Sequence, residues 1–262
     1  MFDWVFDIPL WIAGPLLVLL LGGYALLGLL TVRNRVLPKM HVTHQDSHFI
    51  GTLVHSVMVF YGLVLALIAV NVFETYSEAS KTVSAEATEL AMLYRDVSSY
   101  PDPTRSVLQA GLRDYVEDLM HVAWPLQRAG KIPVGGLQRM DRVQAALAAF
   151  EPVGEAQIIL HAETWRAYNR VVEARRARLD EVKTGLPGVM WLVVILGAAI
   201  SLFSAFFFHV PDVKLHATLV LLLATFIASV IFVMLAMDHP FRGDLGIPVE
   251  SYELIYNQLM KR

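Results

Sequence analysis

Four long apolar stretches restrict what this chain can fold into. They span residues 10–32, 49–73, 186–210 and 215–237, and none of them contains Asp, Glu, Lys or Arg. About 20 apolar residues in a helix are enough to cross a hydrocarbon core of ~30 Å. Because backbone groups inside a bilayer must bond to each other, each stretch is predicted to be a transmembrane helix. The sequence therefore predicts an all-α, multi-pass membrane protein with four transmembrane helices.

The composition agrees with a protein whose main partner is the lipid bilayer. The hydrophobic fraction is 56% and the charged fraction is 17%, whereas soluble domains average about 45–50% and 25%. The net charge of −3 gives no sign of the phosphate neutralisation by which proteins hold nucleic acid. The chain has no cysteine, which excludes disulfides, thiolate metal sites and cysteine nucleophiles.

The apolar stretches divide the chain into four parts. Residues 1–73 hold transmembrane helices 1 and 2, 74–185 form an extramembrane helical bundle, 186–237 hold helices 3 and 4, and 238–262 form a tail. No Gly or Pro interrupts residues 74–99, so the second span is predicted to continue as one long helix. Tail residues Tyr252, Ile255, Tyr256 and Leu259 share one helical face. They predict a short amphipathic helix that lies in the membrane interface or contacts a partner.

The orientation in the membrane is left open by the charges. Arg33, Arg35 and Lys39 after the first span favour an outside N-terminus by the positive-inside rule. The basic residues of 170–183, before the third span, favour an inside bundle and hence an inside N-terminus. Both cannot hold.

Polar residues appear on one side of the second span where it ends. Asn71, Glu74 and Glu78 stand at i, i+3 and i+7, which places them on one face of a helix. In an oligomer they could line the mouth of a pore, and carboxylate rings usually favour cations. Alternatively, they form a solvated face on which Glu78 pairs with Lys81 or with a neighbouring helix.

A group of arginines precedes the third span. Arg170, Arg175 and Arg178 could form a basic vestibule that concentrates anions, or they could bind anionic lipid head groups. They could also simply pair with nearby residues such as Glu173 and Glu181.

Histidines before and within the second span suggest a weak metal site. His44 and His48 stand at i, i+4, a spacing that can bind zinc on a helix. No Glu occupies the position that a zinc protease needs, and no phosphate loop or nucleophile elbow occurs in the chain. We therefore predict a non-enzyme without a cofactor.

Several short motifs together resemble the bacterial bestrophin-like family along nearly the whole chain. They are His44-Gln45-Asp46, Tyr61-Gly62-Leu63-Val64-Leu65-Ala66, Glu74-Thr75-Tyr76-Ser77-Glu78-Ala79, Glu86-Ala87, Leu93-Tyr94-Arg95, Tyr115-Val116, Trp124-Pro125, Leu186-Pro187 with Trp191, and Asp238-His239-Pro240-Phe241-Arg242-Gly243. In addition, Asn71-Val72-Phe73-Glu74-Thr75-Tyr76 is similar to the stretch where the bestrophin pore helix leaves its hydrophobic neck.

The resemblance implies a pore and an assembly. Bestrophins are pentameric anion channels with four spans and a helical domain between spans two and three. By likeness, the second helix lines the pore, and Leu63, Leu67, Val70 and Phe73 form an apolar neck. Our first hypothesis is a cyclic homo-oligomeric ion channel, such as a pentamer, that passes anions across the bacterial inner membrane. A cation channel, a non-conducting scaffold or sensor that binds a soluble partner, and a metal-dependent membrane enzyme are the alternatives.

Overall fold

The structure is a computed structural model that describes residues 8–40, 44–208 and 210–261. For residues 40 and 44–49 it describes the backbone alone. All the described residues together form helices and connecting turns, with no strand among them. The helices are α1 (Leu10–Thr31), α2 (Leu37–Met40), α3 (His44–Val97), α4 (Thr104–Asp118), α5 (Trp124–Arg128), α6 (Gly135–Ala148), α7 (Glu155–Glu181), α8 (Gly188–Ala205), α9 (Val213–Met237) and α10 (Glu250–Ile255).

Four of these helices are long and apolar enough to cross a membrane, which confirms the predicted spans. They are α1 with its continuation to Lys39, α3 from Ile50, α8 and α9. The second span continues as one helix to Val97, two residues short of the predicted end. Pro101 and Pro103 follow, and proline disfavours helical continuation both at its own position and at the residue before it.

The first of two compact units contains the apolar helices, over Met1–Glu74 and Gly185–Asp238. Its core combines residues of α1, α3, α8 and α9, among them Leu29, Ile68, Leu202 and Ala224. Close packing depends on glycine at two positions. A Cβ on Gly28 would overlap the ring of Phe206, and one on Gly197 would overlap the ring of Tyr61. Small residues of this kind allow membrane helices to approach closely.

A buried carboxylate joins the start of α8 to the end of α9 within this unit. Asp238 Oδ1 accepts the backbone N–H of Leu186 at 2.6 Å, and Oδ2 accepts the indole N–H of Trp191 at 3.2 Å. Trp191 and Asp238 are both buried. The carboxylate thus satisfies a backbone donor that precedes α8, where a buried unpaired N–H would be costly.

The second unit covers Thr75–Thr184 and His239–Arg262. Its core draws on the later part of α3, on α4, α6 and α7, and on the C-terminal residues. Apolar side chains recur at helical spacing on α3, for example at Val83, Leu90, Leu93 and Val97, and all four are buried. A π-helical turn, Leu119–Ala123, joins α4 to α5.

The C-terminal residues belong to this second core, which corrects the prediction of an interfacial or partner-binding tail. Tyr252 is fully buried, and Ile255, Tyr256 and Leu259 are partly buried against the same core. The ring of Trp124 packs edge-on to Phe241 and Tyr252, with centroids 5.5 Å apart in each pair. The apolar face that was predicted to contact a membrane or a partner is therefore covered by the chain itself.

Candidate pore-lining surface

Helix α3 has two contrasting faces along its apolar part. Leu65, Ile68 and Val72 are 4–6% exposed and point into the protein. On the opposite side, residues repeat at intervals of three and four, the spacing of one helical face. The exposed fractions there are 58% for Leu63, 64% for Leu67, 55% for Val70 and, at the edge of this face, 59% for Phe73.

The same exposed face becomes polar as the helix proceeds. Asn71, Glu74 and Glu78 are all exposed, and they fall within the angular sector that Leu63, Leu67 and Val70 begin. Among the residues that the structure describes, no cation lies within ion-pair distance of Glu74 or Glu78. The alternative pairing of Glu78 with Lys81 is therefore not formed there. We call this set the exposed stripe: Leu63, Leu67, Val70, Asn71, Phe73, Glu74 and Glu78.

The exposed stripe belongs to the least buried of the four spans. In its most apolar window only 17% of the α3 residues are buried, compared with 33% in α8 and 39% in α9. Something outside the protomer must cover this surface: lipid, water or another protein chain. Lipid alone suits Leu67 and Val70, but an amide such as Asn71 is expensive to hold against hydrocarbon.

The three arginines predicted to form a basic vestibule lie in different surroundings. The Nε of Arg170 donates to Glu89 Oε2 at 2.8 Å, and both side chains are partly exposed. Arg175 is half-buried and, within the described parts of the chain, makes no ion pair within 4 Å. Arg178 is 2% exposed and pairs with Glu86. Its vestibule assignment is wrong, because a buried and paired guanidinium cannot face an aqueous vestibule.

Glu86 is the centre of a buried polar cluster that sequence reasoning missed as a structural site. Both carboxylate oxygens accept from Arg178, and Glu86 Oε1 and Oε2 also accept the hydroxyls of Tyr115 and Tyr252, each at 2.8 Å. The four side chains come from α3, α4, α7 and α10. The available signal was a carboxylate in the middle of an apolar stripe, between Val83 and Leu90, where a buried charge requires a partner.

The pKa values follow from this burial. Burial by itself would lower the pKa of Arg178, but the negative charge of Glu86 and the hydrogen bond to it keep that pKa above its ordinary value. Burial, and then the charge of Glu86, raise the pKa of the Tyr115 and Tyr252 hydroxyls. The arginine therefore stays charged and the tyrosines stay neutral donors.

Comparison with known proteins identifies the family. The model of the family described as "Bestrophin-like domain" matches residues 23–252. The chain belongs to the bestrophin-like family. No curated protein matches its sequence.

Solved structures share the fold of this bestrophin-like chain. One described as a membrane protein aligns with a TM-score of 0.69 at 10% identity, covering 95% of this chain and 97% of the other. Two point variants of a bacterial bestrophin homologue from Klebsiella pneumoniae align with TM-scores of 0.67 and 0.64, at 11% and 12% identity. Each of these covers 95% of this chain and 98% of the other. At such low identity, the likeness concerns the fold.

Several of the motifs that carried the resemblance meet in space. Glu86 bonds Tyr115 in the second unit, where Trp124 packs on Phe241. In the first unit, Trp191 bonds Asp238. These residues are far apart in sequence, so the bestrophin-like motifs mark the contacts that close each unit.

The weak metal hypothesis stays a prediction. His44 and His48 lie in α3, but their side chains are outside the described part of the structure. Among the residues that were searched, no group of three or more His, Cys, Asp or Glu side chains could hold a metal ion.

Proposed function

We propose that this bestrophin-like protein is a cyclic homo-oligomeric ion channel, with the exposed stripe of α3 lining the pore. The observation that carries the proposal is that the exposed face of α3, the least buried of the four spans, turns from apolar to polar along the helix. Asn71, Glu74 and Glu78 suit water, while the remaining uncovered side chains of the stripe suit a dry constriction. A pore that crosses a membrane requires both kinds of surface on the same side of a helix.

The proposal requires several copies of the chain. One helix cannot enclose a path, so the stripes of neighbouring protomers would have to face a common axis. Closed rotational symmetry is the usual way for identical subunits to do this. A ring of five, as in the bestrophins that this chain resembles, in the bacterial inner membrane, is the arrangement we propose.

The apolar part of the stripe would form the gate. Rings of Leu63, Leu67, Val70 and Phe73 would surround the path, and hydrophobic constrictions close a pore by expelling water. Substitution of these residues by smaller or polar ones should therefore open the pore.

The ion is proposed to be an anion, and one observation favours the alternative. The resemblance to bestrophin anion channels supports anion permeation, and Arg170 and Arg175 are the proposed vestibule residues. The exposed Glu74 and Glu78 carboxylates favour cations instead, because rings of acidic side chains select for positive charge. Reversal potentials in a salt gradient decide between the two. If Glu74→Gln with Glu78→Gln lowers cation permeability, the cation reading holds.

The absence of cysteine from the chain permits a clean test of whether water reaches the stripe. Leu67→Cys and Val70→Cys should react with a charged, water-soluble thiol reagent in liposomes, and the reaction should reduce ion flux. Ile68→Cys, on the buried face of the same helix, and Leu192→Cys, an exposed α8 position, are the controls and should stay unmodified. Equal labelling of Leu67→Cys and Leu192→Cys, or labelling without any effect on flux, would refute the pore.

A further inference from the structure

A groove in the first unit lies among the three spans α1, α8 and α9. Its volume is about 400 Å³, within the range of roughly 300–1,000 Å³ that is usual for ligand pockets. Helix α1 contributes Leu17 and Tyr24 to the lining, α8 contributes Trp191 and Ala198, and α9 contributes Ile231. Among the described residues, none of α3 lines it. The groove is therefore separate from the exposed stripe.

The groove exists because α1 and α8 are held apart. Helix α1 packs closely along α9 and makes far fewer contacts with α8. On the side that lines the groove, α8 presents the small residues Ala198 and Ala199. The hydroxyl of Tyr24 on α1 reaches across and donates to the carbonyl of Ala199 at 3.4 Å. The two helices are thus joined by a long side chain at one point, and space remains beside it.

Beyond Tyr24 the two helices close on each other. The ring of Phe206, which directly follows α8, lies so near to Gly28 on α1 that a Cβ there would overlap it. The ring of Tyr24 packs against the same ring, with centroids 6.1 Å apart. A transmembrane helix from a second copy crosses the whole bilayer, so it would meet this closed end.

The length of the groove matches one leaflet of the bilayer. Its lining on α8 runs from Trp191, the fourth residue of that helix, to Ala199. At 1.5 Å per residue this distance is about 12 Å, and half of a hydrocarbon core of ~30 Å is about 15 Å. The groove thus has the depth at which the acyl chains of a single leaflet lie.

The chemistry of the lining favours hydrocarbon. Within the described structure, the polar side-chain atoms of the lining are the Tyr24 hydroxyl and the Trp191 indole nitrogen. Both already donate, the first to the Ala199 carbonyl and the second to Asp238 Oδ2 at 3.2 Å. A polar ligand would lose its hydrogen bonds to water here without replacement, whereas an acyl chain has none to lose.

From this depth, closed end and apolar lining, we propose that the groove binds one acyl chain of a membrane phospholipid. The chain comes from the leaflet at the N-terminal end of α8 and lies along the helices as far as Tyr24. It fills the space beside Ala198 and Ala199 and contacts the ring of Trp191. The site does not depend on whether α3 lines a pore.

Fluorescence quenching by brominated acyl chains locates the lipid, because Trp191 lines the groove and is only 3% exposed. Trp4→Phe with Trp11→Phe removes the tryptophans near the N-terminus, and Trp124 and Trp165 remain in the second unit as background. In vesicles of phosphatidylcholine with brominated chains, the full-length protein should be quenched. Trp191→Phe in the same protein should remove this quenching.

Substitutions on α8 separate the groove from the general lipid surface. Ala199→Phe fills the groove and should abolish the quenching of Trp191, and the smaller Ala199→Leu should abolish part of it. Leu196→Phe, at an exposed position of the same helix outside the groove, is the matched control and should keep all of it. Equal quenching in Ala199→Phe and Leu196→Phe, or none in the parent, overturns the proposal.

Mass spectrometry of the intact protein gives a second readout. Released from detergent, Ala199→Phe should carry one phospholipid fewer per protomer than the parent or Leu196→Phe, and equal lipid in all three contradicts the site. The competing occupant is tested with Leu20→Cys, at the exposed rim of the groove, since the chain has no other cysteine. A disulfide between copies at this position would show that a second protomer covers the groove, and would refute lipid binding there.

Discussion

Arg178 shows that the role of a charged residue depends on whether its side chain is buried or exposed. On α7 it follows Ala167, Tyr168 and Val171 on the buried face, so a guanidinium enters the core. Its charge is compensated by Glu86, which lies 92 positions away in the chain. Removing one partner of a buried pair costs much more than removing both, because the remaining charge loses its compensation.

This asymmetry gives a first prediction. Arg178→Met should destabilise the protein by about 3–5 kcal/mol, whereas adding Glu86→Gln to that variant should restore part of the loss. The checks are thermal unfolding of the two single variants, the double variant and the parent, combined as a double-mutant cycle. Glu89→Gln, which breaks the partly exposed pair with Arg170, is the control and should change little. Additive single effects would contradict coupling.

The tyrosines around Glu86 predict an alkaline limit to stability. Burial raises the pKa of Tyr115 and Tyr252 above the 10.0 of a free tyrosine. Their contribution is therefore complete below pH ~10 and is lost as the pH rises above it, because only the unfolded chain then releases these protons. The Tm should fall as the pH rises above ~10, and Tyr115→Phe with Tyr252→Phe should flatten that decline. An unchanged slope in the double variant would assign it to other groups.

At the scale of helices, packing in the first unit depends on where glycine takes the place of a larger residue. The ring of Tyr61 on α3 lies over Gly197 on α8, and the hydroxyl of Tyr61 donates to the carbonyl of Val194 at 3.1 Å. The row of small residues along α8 continues with Ser201 and Ala205, both buried. Glycine at 197 is therefore a steric requirement of the α3–α8 contact.

This contact yields a prediction about Gly197→Ala. The added methyl overlaps the Tyr61 ring, and such overpacking typically costs about 1–3 kcal/mol. The Tm in detergent should fall, together with the yield of monodisperse protein. Gly62→Ala is a matched control, because a Cβ there meets no atom within 4 Å and alanine is the better helix former. An equal loss in both variants would show that helix interior glycines matter for another reason.

At the scale of the whole molecule, the uncovered face of α3 predicts assembly. A span with so few buried residues needs neighbours, and its polar exit argues against lipid as the sole neighbour. The protein purified in nanodiscs should therefore have a mass that is a multiple of 29.3 kDa, five-fold in the arrangement we propose. Leu67→Asp, which puts a like charge from every copy at the axis, should weaken the ring. Leu192→Asp on α8 tests whether any charge in a span does the same. A single protomer in the parent protein would remove the basis of the channel.

The features that could be predicted from the sequence are those that depend on local residue patterns. Runs of apolar residues predict α1, α3, α8 and α9, because hydrocarbon thickness and backbone bonding restrict each run to a helix. Glycine and proline predict where the helices of the second unit end. The exposed stripe was also predictable in part, since Asn71, Glu74 and Glu78 follow helical spacing.

The sequence by itself determined the number of spans, the all-helical class and the family, because each depends on residues close together in the chain. Only the tertiary structure decided that Arg178 is buried against Glu86, that Tyr252 completes the second core, and that Asp238 joins α8 to α9. Those contacts link residues tens of positions apart. Whether a charged or apolar side chain is covered depends on which distant surface packs against it, and hydropathy along the chain does not record that choice.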